Sequence, residues 1–369
     1  MGNRIAGRGS QSLHILLAFV LLVGSSSTYA QSNRATASPG TLGASNLWLS
    51  RKPIGKVEKR VLALYYPWYR TKAVSGQWAH QDGVETANRR MASHTHYPAS
   101  GPYDSTDAAV IERHLGQAKA AGIDTLVCSW WGRQDPTDRA LRLLVERAPA
   151  HGLTVCVYWE RLFPQPDKLA ATADLSYLLQ TFGGKPGYLK VGGRPAVFFN
   201  AGVCRSLPAS DWSDVLSAML SRFPAGLTAI GAGERLADGL LWDGLVNLDV
   251  ATAMPEQNAA LSAKTLREGL LPARLLAERL GHLSIATLVP GYDDRKYNAT
   301  HALPGRKLVQ REDGALYRAL WSQAIADGPD WVLLSSFNQW HNGTEIEPSI
   351  EMGERYLTLT QEFASRFKK

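Results

Sequence analysis

The stretch AGIDTLVCSWWG, Ala121–Gly132, decides the fold of this chain. Gly122 stands where a preceding helix should end, and the run from Thr125 to Trp130 is apolar and has the length of a strand. A strand that is hydrophobic along its whole length is covered on both faces, as in a parallel sheet. The stretch therefore predicts one helix-to-strand unit of an α/β fold.

Similar short runs, rich in β-branched and aromatic residues, recur along the chain at intervals that mostly leave room for a helix. The predicted strands are Val61 to Tyr66, Thr125 to Trp130, Leu153 to Tyr158, Ala196 to Asn200, Leu227 to Gly231, Leu245 to Val250, Ser284 to Val289 and Trp331 to Phe337. Alternating strands and helices, with eight strands, predict a (β/α)8 TIM-like barrel rather than an open doubly wound sheet.

Segments with helical periodicity lie between these strands. They are Ala108 to Ala121, Asp138 to Ala150, Leu169 to Thr181, Trp212 to Arg222, Ala260 to Leu280 and Gly314 to Ala326, and Tyr356 to Phe367 closes the chain. Asp107 and Asp211 are expected to cap the first and fourth helices, and Gly152 to end the second. The helix between Ala232 and Gly244 is expected to be short or missing.

The first fifty residues are predicted to lie outside the barrel. Arg4 and Arg8 precede the apolar run from Leu13 to Val23, and Thr28-Tyr29-Ala30 supplies small residues for cleavage, so residues 1–30 resemble a secretory signal peptide. The run is short for a membrane span of about 20 residues, although an uncleaved anchor is the alternative. Residues 31–50 are expected to form a flexible leader and residues 51–369 the barrel domain. We therefore expect a secreted or periplasmic protein without integral membrane association after cleavage.

Composition excludes several classes of function. The net charge of +7 is spread along the chain, without the basic, aromatic-interleaved runs of a nucleic-acid groove, so no nucleic-acid partner is expected. The absence of CxxC, HExxH and GxGxxG motifs predicts no metal site and no cofactor. Cys128 and Cys156 lie inside apolar runs and are expected to be buried rather than disulfide-bonded. The sequence leaves the oligomeric state open.

In a barrel of this kind, function is expected at the carboxyl ends of the strands. The predicted ends carry Tyr65, Tyr66, Trp68, Tyr69, Trp130, Trp131, Trp159, Glu160, Asn200, Asp249, Tyr292, Asp293, Asp294 and Asn338 to His341. This collection of aromatic, amide and carboxylate side chains is typical of a sugar-binding cleft, although core packing would explain at least half of the tryptophans. The long segment from Arg70 to Ser105 is expected to form a binding loop.

Five motifs, in this order, resemble glycoside hydrolase family 99 over about residues 60–368. They are YYPWY at Tyr65–Tyr69, GPYDSTD at Gly101–Asp107, AGIDTLVCSWWG at Ala121–Gly132, VPGYDD at Val289–Asp294 and SFNQWHNGTEIEPS at Ser336–Ser349. The resemblance implies a (β/α)8 barrel that cleaves within α-mannans or mannose-rich glycans with retention of configuration.

The resemblance also implies two catalytic glutamates in a motif N-E-W-H-E-G-T. One removes the proton of the sugar 2-hydroxyl, and the other protonates the leaving oxygen. In this chain Gln339 and Asn342 occupy those two positions, whereas the intervening Trp340 and His341 match. An amide neither gains nor loses a proton near neutral pH, so the departure affects the chemistry rather than the scaffold.

Three interpretations follow. Other carboxylates replace the missing pair, with Glu160 and Glu345 as the leading candidates; or the protein binds glycans without cleaving them; or its substrate and reaction need fewer protein acids. Glu160 ends a predicted strand, where it serves either in catalysis or in binding a substrate hydroxyl. Of Glu345 and Glu347, at most one is expected in the cleft.

The predicted function is hydrolysis of O-glycosidic bonds in mannose-containing or related glycans, with an oligosaccharide or polysaccharide as the partner. The alternatives are a non-catalytic glycan-binding protein and a role in transfer or polysaccharide assembly. The residues expected to bind substrate are Tyr66, Trp68, His80, Tyr103, Trp130, Trp131, Tyr292, Asp293, Asn338, Trp340 and His341. Their tryptophans would stack on sugar rings, and His80, Asn338 and His341 would bind hydroxyls.

Overall fold

The computed structural model describes residues 48–162, 166–232, 240–305 and 307–369. The predicted signal peptide and most of the predicted leader lie outside these residues. Trp48 was expected in the leader, but its side chain is buried and its indole N–H donates to Leu241 O at 2.7 Å. The folded part of the chain therefore begins before residue 51. No helix of the described residues is both long and apolar enough to cross a membrane.

Eight parallel strands close into a barrel, which confirms the predicted fold. They are β1 (Arg60–Tyr65), β2 (Thr125–Trp130), β3 (Thr154–Trp159), β4 (Arg194–Phe199), β5 (Thr228–Ala232), β6 (Gly244–Val246), β7 (Leu283–Leu288) and β8 (Trp331–Leu334). Each strand pairs with the next along the chain, and β8 pairs with β1, where Val61 lies opposite Val332. Strands that are hydrophobic along their whole length suit this arrangement because helices cover their outer faces.

Within the described residues, seven longer helices surround the barrel. They are α1 (Ala108–Ala120), α2 (Pro136–Arg147), α3 (Lys168–Leu178), α4 (Ala209–Arg222), α5 (Ala259–Leu280), α6 (Ala315–Asp327) and α7 (Arg355–Phe367). Asp107 caps α1 as expected, since its side chain accepts a hydrogen bond from Ala109 N. The prediction for Asp211 was wrong: α4 begins one turn earlier, after Pro208, and Asp211 lies in its first turn. The segment predicted to hold a short helix or none falls largely on residues 233–239, outside the described residues.

Short elements connect these units. They are the helices Lys72–Ser75, Ala201–Ser206, Val250–Ala253 and Arg295–Thr300, the 3-10 turns Ala148–His151, Glu312–Gly314 and Trp340–Asn342, the π turn Leu179–Gly183, and the strands Lys190–Val191, Tyr292–Asp293 and Leu308–Val309. The last two strands pair with each other in antiparallel fashion. The first of them, Tyr292–Asp293, lies next to the loop that follows β8, where Gly343 packs against Asp293.

The strand β8 is shorter than predicted, and its early end shapes the rim. The predicted strand continued to Phe337, and Phe337 N still donates to Leu64 O of β1 at 2.8 Å, but Ser336 N donates to Thr344 O at 2.9 Å. The backbone therefore turns back on itself directly after the strand. This turn places the segment Asn338 to Glu347 at the carboxyl end of the barrel.

Candidate active site

The polar strand ends gather at one rim because all eight strands are parallel. Tyr66 follows β1, Glu160 follows β3 and Asn200 follows β4. Burial raises the pKa of Tyr66 well above its usual range, and the nearby charges of Glu160 and Asp249 raise it further. Residues after β1, β3 and β6 therefore lie near one another at the mouth of the barrel.

Glu160 is a half-buried carboxylate held by neutral hydrogen-bond donors. Its Oε1 accepts from Ser129 Oγ at 2.9 Å, and its Oε2 accepts from Asn200 Nδ2 at 3.0 Å. None of the ion pairs found among the described residues involves it. Burial raises the pKa of Glu160 to about 7, although the two hydrogen bonds oppose this rise. A carboxyl group with this pKa exchanges protons readily near neutral pH.

Glu345, the other candidate replacement, has different surroundings. Its Oε1 lies 2.7 Å from Arg311 Nη2 and 2.7 Å from His96 Nδ1, and the side chain is 1% exposed. Burial alone would raise the pKa of Glu345, but the charge of Arg311, the contact with His96 and a backbone hydrogen bond together outweigh it, and the net shift is downward. A buried, ion-paired carboxylate of this kind is suited to holding loops together rather than to exchanging protons.

Glu347 is also buried within the protein. Its Oε2 accepts from Tyr103 Oη at 2.8 Å and from Trp340 Nε1 at 3.1 Å, and its Oε1 lies 3.0 Å from His114 Nε2. Glu345 and Glu347 have separate sets of partners, and both sets are protein side chains. This geometry favours Glu160 as the replacement carboxylate.

Gln339 precedes the 3-10 turn Trp340–Asn342, and Asn342 is its last residue. Gln339 N donates to Ser336 Oγ at 2.7 Å, and its buried side-chain oxygen has no hydrogen-bond partner among the described residues. Asn342 is half-buried at the end of the turn. Gly343 then adopts a left-handed conformation, where a Cβ would lie 3.2 Å from Asp293 O. Close packing on that backbone therefore requires glycine and fixes the turn.

Arg311 also stabilises this turn. Its Nη2 donates to Gly343 O at 3.0 Å and to Glu345 O at 2.8 Å, in addition to the Glu345 carboxylate. The guanidinium group also lies over the ring of Tyr356, 4.4 Å from the ring centroid. Arg311 therefore helps to orient the segment that carries both amides.

Aromatic rings line one side of the mouth. Trp68 stacks on His80 with ring centroids 4.7 Å apart, and Trp131 is tilted against Trp68 at 6.2 Å. A cavity of about 300 Å³ lies beside them, lined by Trp68, Arg70, Ala79, His80, Trp131, Asp135, Pro136 and Thr137. Trp131 is half-buried, so part of its ring is open to a ligand.

Four other residues predicted to contact sugar are deeply buried, and their polar groups bind other parts of the protein. Trp130 Nε1 donates to Asp138 Oδ1 at 2.9 Å, and Trp340 is fully buried against Tyr103 and Glu347. Asn338 Oδ1 accepts from Tyr66 N at 2.7 Å, while its Nδ2 donates to Tyr103 Oη at 3.2 Å. This burial does not support direct sugar contact by Trp130, Trp340, Tyr103 or Asn338, and packing accounts for their positions.

A group of histidines connects the loop after β1 to the loop after β8. His80 O receives hydrogen bonds from His94 Nε2 at 3.0 Å and from His341 Nε2 at 3.1 Å. Burial lowers the pKa of His94 to about 4 and that of His341 well below its usual range. These two rings therefore remain neutral at ordinary pH, and the exposed His80 side chain lies at the rim.

The predicted pair after β7 lies on another side of the mouth. Tyr292 is half-buried, and its hydroxyl group donates to Asp294 Oδ2 at 3.3 Å. Asp293 accepts two hydrogen bonds from the Arg295 guanidinium group, at 2.8 and 2.9 Å. Burial would raise the pKa of Asp293, but these bonds hold it below its usual range. Tyr292 therefore remains the better placed of the two for ligand contact.

In the described ranges, no group of three His, Cys, Asp or Glu side chains is placed to hold a metal ion. Cys128 and Cys156 are fully buried in adjacent strands without a disulfide. Burial raises the pKa of both thiols, which makes them unreactive as nucleophiles.

Sequence reasoning missed Ser129 and Arg311. Ser129 is one polar residue near the end of the strand TLVCSW, and this break in an apolar run was a usable signal. Arg311 lies far along the chain, in a short segment before α6, with no local pattern that separates it from a surface arginine. Its burial arises from tertiary packing alone.

The fold and the mouth together define a (β/α)8 barrel of the glycoside hydrolase type. The family model Glycosyl hydrolase family 99 matches residues 56–223 and 270–360, more than half of the chain, and the protein belongs to this family.

Similar proteins agree with this assignment. The chain is 23% identical over 350 residues to the Glycoprotein endo-alpha-1,2-mannosidase-like protein of Danio rerio, covering 83% of this chain and 77% of that protein. It is 22% identical over 356 residues to the Glycoprotein endo-alpha-1,2-mannosidase of Mus musculus, covering 83% and 74%. The structure of the GH99 endo-alpha-mannosidase from Bacteroides thetaiotaomicron superposes with a TM-score of 0.70 at 22% identity, over 84% of this chain and 97% of that one.

Proposed function

We propose that this protein is an exported glycoside hydrolase that acts on mannose-containing glycans in the mouth of its barrel, with Glu160 as the carboxylate that exchanges protons. The observation that carries the proposal is the setting of Glu160: a strand-end carboxylate, hydrogen-bonded through both oxygens, with a pKa raised by burial to about 7. Such a group matches the acid or base that glycoside cleavage needs near neutral pH. Export is proposed from the signal-like residues 1–30.

The geometry also limits the expected rate. Gln339 and Asn342 cannot transfer protons at the positions that the family resemblance assigns to acids, and Glu345 is committed to Arg311 and His96. Because each positioned acid or base typically contributes about 10² to 10⁴ in rate, one carboxylate should give slow cleavage of ordinary glycosidic bonds. A leaving group that needs no protonation, such as an aryl group, should be cleaved faster.

A non-catalytic glycan-binding role is the second candidate. It is favoured by the two amides and by the ion pairing of Glu345, which remove three of the four candidate proton carriers. The half-buried Trp131 and the cavity of about 300 Å³ beside it would still bind a sugar ring in such a protein.

The deciding experiment uses residues 31–369 with α-mannans, mannose-rich oligosaccharides and aryl α-mannosides, and measures released products by mass spectrometry. Cleavage that disappears in Glu160→Gln but persists in Glu278→Gln, a substitution on the surface of α5, would establish hydrolysis through Glu160. The double variant Gln339→Glu/Asn342→Glu should raise the rate by about 10² or more if the scaffold is otherwise intact.

The remaining outcomes separate the two candidates. Binding without cleavage by the unaltered protein, together with cleavage by the double variant, would identify a glycan-binding barrel. Absence of both binding and cleavage in every sample would refute the choice of mannose-containing glycans.

A further inference from the structure

The hydrogen bond between Ser129 and Glu160 has a defined direction. Trp131 Nε1 lies 3.1 Å from Ser129 Oγ, and an indole N–H can only donate. The serine oxygen is therefore the acceptor for Trp131, and its own hydrogen points to Glu160 Oε1 at 2.9 Å. One hydroxyl group thus connects the aromatic ring to the carboxylate.

The second bond to Glu160 has an equally defined direction. Asn200 Oδ1 accepts the backbone N–H of Gly202 at 2.6 Å, which fixes the orientation of the amide. Asn200 Nδ2 then faces Glu160 Oε2 at 3.0 Å and Tyr158 Oη at 2.6 Å. Both carboxylate oxygens therefore accept one protein hydrogen bond, and both bonds favour the ionised form of the group.

We propose that Ser129 and Asn200 are positioning residues that make Glu160 a hydrogen-bond acceptor for two hydroxyl groups of a vicinal diol on the bound sugar. A carboxylate offers about four acceptor sites, so two remain after the protein bonds are made. Ser129 also fixes the ring of Trp131, so a sugar stacked on that ring would have its hydroxyl edge at a set position relative to the carboxylate. The inference rests on the proposed function, that a glycan lies in this mouth.

The local charge around Glu160 depends on the titratable groups near it. The charge of Glu160 acts on the phenols of Tyr66 and Tyr158. Burial raises the pKa of both phenols well above the usual range. Both are therefore neutral at ordinary pH. Asp249 is a further carboxylate that acts on these two phenols, and its charge adds to the electron-rich character of the mouth. A ligand that brings hydroxyl donors matches this character.

The first test measures the ionisation of Glu160 without any ligand. Carboxyl resonances of ¹³C-labelled glutamate are followed by NMR against pH, and Glu160→Gln identifies the relevant signal. Ser129→Ala should raise the titration midpoint by about one pH unit, because it removes a hydrogen bond to the charged form. Asn200→Ala should raise it by a similar amount.

The matched control for this titration is Thr228→Val, which removes a buried hydroxyl group on β5 that has no hydrogen-bond partner among the described residues. It should leave the midpoint unchanged. A midpoint that stays the same or falls in both Ser129→Ala and Asn200→Ala would overturn the positioning role. Two separate variants keep the test valid if Asn200→Ala fails to fold.

The second test measures the affinity for an α-mannan oligosaccharide by calorimetry between pH 6 and pH 8. If the ionised carboxylate accepts ligand hydroxyls, affinity should increase about tenfold over this range, and Ser129→Ala should move the midpoint of the increase upward. A purely structural role would change affinity equally at every pH. Affinity that falls as the pH rises would overturn the acceptor role, whereas absence of binding at every pH would refute the proposed function and leave the positioning role to the titration.

Discussion

Glu160 is a half-buried and Glu345 a fully buried carboxylate at the rim of one barrel, and their surroundings make them chemically different groups. Glu160 is held by the neutral donors Ser129 and Asn200, and burial raises its pKa to about 7. Glu345 contacts Arg311 and His96, and its pKa is lowered. The nature of the neighbours, cationic or neutral, therefore separates a carboxylate that exchanges protons from one that holds loops together.

The two sites also differ in what they connect. Glu345 joins three segments: its own loop after β8, the loop after β1 through His96, and the segment before α6 through Arg311. Glu160 connects only strand ends, through Ser129 at the end of β2 and Asn200 after β4. Substitutions at Glu345 should therefore disturb folding first, and those at Glu160 should disturb chemistry first.

The largest expected effect is that of Glu345→Gln on stability. It leaves the Arg311 guanidinium group buried without a counter-charge, which should lower the free energy of unfolding by about 3 to 5 kcal/mol near pH 7. Denaturant unfolding measures the change, with Glu278→Gln as the exposed control. The double variant Glu345→Leu/Arg311→Met should recover most of the loss, since it removes both charges together.

The stability of Glu345→Gln as a function of pH gives a second check on the role of Glu345. Its folded-state pKa is lowered, so its contribution is present above the unfolded-state pKa of about 4.3 and is lost as the pH falls through the folded-state pKa. The difference between Glu345→Gln and the unaltered protein should therefore shrink in acid. A difference that stays constant down to the acid transition would contradict the ion-pair interpretation.

The opposite sign is expected for Glu160→Gln. The folded-state pKa is raised from 4.5 to about 7, so folding binds a proton between these values and the cost of the buried charge grows as the pH rises. Glu160→Gln should be more stable than the unaltered protein by about 2 to 3 kcal/mol at pH 8, with little difference at pH 4. Unfolding curves at both pH values measure this. Equal destabilisation at both values would show that the carboxylate is structural, like Glu345.

Glu160 and Glu345 also show which features of the structure can be predicted from the sequence. The eight strands and their order follow from apolar runs, because hydrophobic periodicity is a local property of the chain. The position of Glu160 at the rim follows from the same pattern. The pairing of Glu345 with Arg311 does not, since the two residues are 34 positions apart in the chain and meet only through tertiary packing.

Burial of aromatic residues was the other feature that the sequence did not decide. Trp130 and Trp131 are neighbours in a strand end, and both were expected to contact sugar. Strand geometry turns successive side chains to opposite faces, so Trp130 packs in the core with its N–H on Asp138, while Trp131 keeps part of its ring open. Which of two adjacent rings faces the ligand depends on the exact strand register, which periodicity leaves open.

The smallest expected effect separates the ring of Trp131 from its link to the carboxylate. Trp131→Ala removes the stacking surface and should weaken oligosaccharide binding about tenfold, since aromatic contacts contribute about 0.5 to 1.5 kcal/mol beyond buried area. Trp131→Phe keeps a ring but loses the N–H that binds Ser129, so affinity should fall less than in Trp131→Ala. Calorimetry from pH 6 to pH 8 measures both. If Trp131→Phe weakens binding as much as Trp131→Ala at every pH, then the indole N–H, rather than the ring face, is what the site requires.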